Sequence, residues 1–113
     1  MTPDPERLER LRARAAIIKA MAHPSRLLMV EELSGGERCV CDLTELVGAD
    51  MSTVSKHLSV LKRAGIVEDR RQGTTIYYRL RCPCILGFFE CVDGVLAPKA
   101  RTARPGACTS CGR

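Results

Sequence analysis

"STVSKHLSVLKRAGIVEDRRQGTTIYYRL", residues 52–80, decides how this chain folds. Its first half has a helical period. Val54, Leu58 and Leu61 recur at three- and four-residue steps and predict a buried stripe. Thr53, Ser55, Lys56, Ser59, Lys62 and Arg63 fall on the opposite, outward side. Ser52 is a good N-cap and Gly65 a good terminator. The second half alternates with period two. "IVEDR" (66–70) and "TTIYYRL" (74–80) flank "RQG", a short glycine-containing turn, and predict a β-hairpin. Ile76, Tyr78 and Leu80 share one face of it, and Thr75, Tyr77 and Arg79 the other.

Working toward the N-terminus, "CVCDLTELVG" (39–48) predicts a short helix. Asp42 would cap it, Glu45 would complete a capping box, Leu43, Leu46 and Val47 would face inward, and Gly48 would end it. Pro24 suits the first turn of a helix through Leu27, Leu28, Val30 and Leu33 that "SGG" (34–36) stops. Residues 6–21 predict an amphipathic helix with Leu8, Leu11, Ala15, Ile18 and Met21 on one stripe. Toward the C-terminus, Pro83 can open a last helix carrying Ile85, Phe88, Phe89, Val92 and Leu96. The predicted organisation is a disordered start (1–5), one domain (6–97) and a flexible basic cysteine-containing tail (98–113).

Two short helices joined by a tight turn, the second outwardly polar and basic, followed by a basic-tipped hairpin, make a winged helix-turn-helix. The fold class is therefore mainly α with a small β-hairpin, in the order α-α-α-α-β-β-α. In such a unit the second helix of the pair lies in the major groove of DNA, with its first residues on base edges. Ser52, Thr53, Ser55 and Lys56 are the candidates for base or phosphate contacts, with His57 as a packing residue or phosphate contact. Arg70, Arg71 and Gln72, read as the hairpin tip, are placed for the flanking backbone or minor groove. A merely solvated face would account for Lys62 and Arg63, but less well for a Ser-Thr-x-Ser-Lys-His run followed by a wing. The formal charge of +5 agrees with a polyanionic partner. His23 reads as a structural helix-start residue, and no catalytic arrangement or organic-substrate site stands out. No apolar run approaches the ~20 residues of a membrane span, and the charged N-terminus has no signal-peptide core, so a cytoplasmic protein is expected.

The seven cysteines fall as Cys39/Cys41, Cys82/Cys84 with Cys91, and Cys108/Cys111. In a reducing compartment an odd number of clustered thiols argues for soft-metal or thiol chemistry rather than a disulfide framework. A small dithiol oxidoreductase or metal buffer using Cys108 and Cys111 would fit that pair, but leaves residues 50–80 unexplained.

"HPSRL" (23–27), "CVCDL" (39–43), "STVSKHLSVLKRAGIV" (52–67) and "GTTIYYRL" (73–80) together resemble the ArsR/SmtB family of bacterial metal- and metalloid-responsive repressors. The resemblance covers roughly residues 10–96. It implies a homodimer built on the first and last helices, an operator of double-stranded DNA with an inverted repeat, and release of that operator when inducer binds. It also implies that Cys39 and Cys41 form the inducer site, as in family members that answer arsenic, antimony, cadmium or lead. Thiolates select such soft ions, and a helix N-terminus suits an anionic sulfur ligand. As(III) or Sb(III) is the expected inducer, with Cd(II) or Pb(II) as alternatives and no organic cofactor. Arsenic-responsive relatives often carry a third cysteine where Thr44 stands here, so another sulfur is needed. If the segment before the third helix pairs with the returning strand of the wing, Cys39 and Cys41 would lie near the end of that strand. Cys82 or Cys84 would then complete the site. A thiol redox or persulfide switch on the same fold, using Cys39 and Cys91, is the other reading.

Overall fold

Asp4 begins the first helix. Its carboxylate accepts the Arg7 N–H at 2.7 Å, and Pro5 occupies the first helical position, where a missing N–H costs nothing. In the computed structural model, which describes residues 3–98, that helix is α1 (Pro5–Ala20). The order continues as α2 (Pro24–Leu33), β1 (Arg38–Cys39), α3 (Val40–Val47), α4 (Met51–Arg63), β2 (Val67–Gln72), β3 (Thr75–Leu80) and α5 (Ile85–Leu96). This is the winged helix-turn-helix predicted from the sequence, with β1 added. The tail predicted over 98–113, with Cys108 and Cys111, lies outside the described residues apart from Pro98. The chain divides into two compact units, residues 1–81 and the residues from Cys82 onward.

In the first unit the core gathers the inward stripes of successive helices. Met29, Val30 and Leu33 come from α2, Leu43 from α3, and Val54, Leu58 and Leu61 from α4, with Val67 and Leu80 from the hairpin. α1 contributes little to this core. Of its predicted stripe Leu11 is 42% and Ile18 49% exposed, whereas Met21, just past its end, is buried; within the helix Ala20 is the one buried residue. The periodicity located that helix but could not say what its stripe packs on.

The three strands form one antiparallel sheet in the order β1-β3-β2. Val67 pairs with Leu80, and both are buried, which fixes the register of the hairpin. Pairing then runs out to Gln72 opposite Thr75, leaving Gly73–Thr74 as a two-residue loop. Gly73 sits at φ +65°, as the first position of a type II′ hairpin turn requires. The tip is therefore not "RQG". Arg70, Arg71 and Gln72 belong to strand β2, because buried residues at the base of the wing set a pairing that extends past them.

In the second unit α5 begins at Ile85 rather than at Pro83, with Cys84 as its N-cap. Phe88, Val92, Val95 and Leu96 are exposed along it, Val95 at 83%.

Candidate nucleic-acid interface and thiol site

The helix pair is joined by a turn of the kind that seats a recognition helix. α3 ends on Gly48 in the left-handed region (φ +76°), whose N–H donates to the Thr44 carbonyl at 3.0 Å. Two residues later Asp50, in extended conformation, starts α4. The N-cap is thus Asp50 and not Ser52. Both residue types can cap, and the position of the preceding turn decides between them. Ser52 Oγ instead donates to the Asp50 carboxylate at 2.8 Å. The hydroxyls of Thr53 and Ser52 hold that carboxyl below the usual carboxylate range. Both hydroxyls thus face an anion at the head of the helix. Ser52 spends its proton there and can meet a base edge only as an acceptor.

Farther along α4 the outward face is as predicted. Ser55, Lys56 and Ser59 are exposed, with Val54, Leu58 and Leu61 fully buried behind them. Lys62, by contrast, pairs with Asp69 of β2 at 3.0 Å and ties the recognition helix to the wing.

His57 lies on the packing side, half-buried, with its ring centroid 4.5 Å from that of His23. Its Nδ1 accepts from Arg26 Nε at 3.2 Å, and Arg26 also donates to the Ala20 carbonyl. His23 is the N-cap of α2, its Nδ1 accepting the Ser25 N–H at 3.1 Å. Its reading as a helix-start residue therefore holds. Burial, then the neighbouring His23 and Arg26, push the His57 pKa down. With the folded-state value below the unfolded one, protons bind more readily to the unfolded chain on the acid side. Stability is expected to be full above the unfolded histidine pKa, about 6.5, and to fall as pH drops through the folded value. Urea unfolding at pH 7.5, 6.5 and 5.5 should show this decline. His57→Gln, which keeps an acceptor but cannot ionise, should flatten it. A pH profile identical in the two proteins would refute the assignment.

The wing carries an ion pair that no local sequence pattern announces. Arg70 donates to both oxygens of Glu37, from Nε at 3.0 Å and from Nη2 at 2.7 Å. Its Nη1 donates to Gln72 Oε1 at 2.7 Å, and the guanidinium lies 4.8 Å over the Tyr77 ring. Glu37 is held below, and Arg70 above, its ordinary pKa, in each case chiefly by this hydrogen-bonded contact. Arg71 is exposed on the opposite face of the strand, paired in register with Ile76.

The thiols frame the start of α3. Cys39, not Asp42, is its N-cap, and the Asp42 N–H donates to Cys39 Sγ at 3.4 Å. Strand pairing explains the difference: β1 holds Arg38 opposite Tyr78 and Cys39 opposite Tyr77, so the extended chain turns into helix immediately after Cys39. The predicted pairing with the returning strand is present. Its register, however, sets Cys39 three residues before Leu80, the last residue of β3, rather than at the strand's end. Cys39 is half-buried and Cys41 exposed. In the second unit Cys82 and Cys84 are both exposed, with their sulfurs 3.0 Å apart. Among the described residues, no three His, Cys, Asp or Glu side chains are grouped so that they could hold a metal ion. The donor types suit a soft ion: each of the pairs Cys39/Cys41 and Cys82/Cys84 offers two sulfurs. No helix among the described residues is long and apolar enough to cross a membrane.

Residues 23–69 match the model of the family described as "Bacterial regulatory protein, arsR family". An uncharacterized HTH-type transcriptional regulator of Methanocaldococcus jannaschii is 38% identical over 72 residues, 63% of this chain and 81% of that protein. The HTH-type transcriptional repressor SmtB of Mycobacterium tuberculosis is 37% identical over 78 residues, 69% of this chain, which spans 58% of SmtB's length. Among solved structures, the homodimeric winged helix-turn-helix DNA-binding domain of a Mycobacterium bovis protein superposes with a TM-score of 0.72 at 33% identity. That match covers 83% of this chain and 87% of the other.

Proposed function

The chain belongs to the arsR family of bacterial regulatory proteins, and from that premise we propose a homodimeric repressor that binds operator DNA in its apo state and releases it on binding a thiophilic ion. It is a transcriptional regulator and not an enzyme, as its family is. The ion is As(III) or Sb(III), held by Cys39 and Cys41 and completed by a sulfur of Cys82 or Cys84. Cd(II) or Pb(II) would be accommodated by the same soft donors.

One observation carries the trigger: Cys39 Sγ accepts the Asp42 N–H and so caps the helix that braces α4. An ion that takes the sulfur's lone pairs competes with that cap. Loss of a cap costs about 1 kcal/mol of helix stability, and α3 packs on α4 through the fully buried Leu43. Ion binding is thereby transmitted to the aim of Ser55 and Lys56. Homodimerisation is supported by the apolar residues exposed on two helices: Leu11 and Ile18 on α1, and Phe88, Val92, Val95 and Leu96 on α5. Two-fold symmetry would set the recognition helices about one DNA turn, ~34 Å, apart on an inverted repeat.

The test is an anisotropy titration on a duplex selected by the apo protein from a random-sequence pool, repeated with As(III), Cd(II), Zn(II) and, separately, a mild oxidant. As(III) should weaken binding by about 100-fold, a coupling near 3 kcal/mol, and Zn(II) should not. Substituting Cys82 and Cys84 together should remove the As(III) response and leave apo binding intact. Unchanged As(III) affinity in that double variant would reject the composite site. Release by oxidant alone would favour the redox reading.

A further inference from the structure

We propose that Glu37 is an internal stand-in for a DNA phosphate, which occupies the wing arginine Arg70 and so sets how tightly the apo protein holds its operator. This rests on the repressor reading above and adds to it a residue that lowers affinity. The geometry is that of phosphate recognition. A planar guanidinium presents two parallel N–H groups to two oxygens of one anion, the arrangement in which arginine binds carboxylate and phosphate interchangeably. Here the anion is the Glu37 carboxylate, bound at 3.0 and 2.7 Å.

The remaining contacts hold the guanidinium in that pose. Gln72 Oε1 accepts from the third nitrogen at 2.7 Å, and Tyr77 supports the flat face at 4.8 Å. All three guanidinium nitrogens are therefore engaged within the protein. Arg70 and Glu37 lie 33 residues apart and meet because β3 stands between β2 and the segment that runs into β1. The pair is still open to solvent, with side-chain exposures of 50% for Arg70 and 31% for Glu37. An exposed pair is weak enough to be exchanged, so a backbone phosphate reaching the wing can displace the carboxylate. Each binding event then trades one anion for another, and the net gain from Arg70 is smaller than that from an unengaged arginine.

The experiment measures operator affinity by anisotropy at fixed salt for the wild-type chain, Glu37→Gln, Arg70→Ala and the double variant, all without metal. Glu37→Gln is expected to bind about threefold tighter, within the range exposed ion pairs contribute, and Arg70→Ala to bind more weakly than wild type. In the Arg70→Ala background, Glu37→Gln should gain close to nothing. A gain in affinity is not what structural damage produces. An equal gain in both backgrounds would assign the effect to bulk charge and overturn the proposal. It would also be overturned by a weaker Glu37→Gln, which would mean that Glu37 aims Arg70 at DNA, or by an Arg70→Ala variant that binds as tightly as wild type. If the wild-type chain selects no duplex at all, the repressor reading falls and this one with it. Binding without the Glu37 effect would remove this one alone.

Discussion

Replacing Leu58 with alanine is expected to lower the unfolding free energy by about 3 kcal/mol, within the usual range for truncating a fully buried leucine. Leu58 has no exposed surface and lies between Val54 and Leu61 on the inner face of α4. That stripe is what seats the recognition helix, since past the exposed Met51 the outer face near the N-terminus carries Ser, Thr and Lys side chains. Part of the cost is the lost transfer of three carbon atoms from water, and the rest is the cavity left in the core. A domain of this size has only ~5–15 kcal/mol to lose, so the variant should fold but unfold at clearly lower urea. The comparison belongs at one protomer concentration, because the stability of a dimer depends on it. Operator affinity should fall along with stability. A loss below about 1 kcal/mol would mean that α4 is anchored elsewhere than its buried stripe.

The second large effect separates the two roles given to one atom. Cys39→Ser is expected to leave apo operator affinity within about twofold, because serine is itself a favoured N-cap and its Oγ can accept the Asp42 N–H that Cys39 Sγ now accepts. The same substitution should abolish release by As(III), removing the whole ~100-fold response, since a hydroxyl is no soft-ion ligand at neutral pH. Cys41→Ser, at an exposed position that caps nothing, should abolish the response equally with no change in the apo state. Cys39→Ala should also lose the response, but with about 1 kcal/mol less stability. Operator titrations and urea unfolding on the three variants would read both properties. Undiminished release of the Cys39→Ser protein by As(III) would refute the trigger. Weak apo binding by that variant, with stability retained, would refute the capping role.

These expectations rest unevenly on sequence and structure. The solvent-facing row of α4 was legible because a 3.6-residue period and a row of buried aliphatics define a helix face from within a single element. The hairpin was legible for the matching reason, a period of two with a glycine at its turn. The starts of α3 and α4 were not. Asp42 and Cys39 both stand within reach of the first turn of α3, as do Ser52 and Asp50 for α4, and local propensity ranks such candidates too closely to choose. The strand pairing of Cys39 with Tyr77 settled the first case, and the position of Gly48 the second. Dithiol spacing singled out Cys39 as a ligand candidate, but only the folded chain gave its sulfur an amide to cap.

By itself, then, the amino-acid sequence determined the order of the five helices and the two wing strands, the polar face of the recognition helix and the paired spacing of the cysteines, because each is written in residues a few positions apart. The tertiary structure alone decided which groups meet across the fold. His57 rests against Arg26 and His23, Arg70 closes on Glu37, and the wing register carries Arg70, Arg71 and Gln72 into a strand. Partners separated by 31 or 33 residues have no preference for each other that a local pattern can express. They are brought together when buried aliphatic side chains fix how the elements pack, and only then do charge and hydrogen bonding choose among the neighbours that packing supplies.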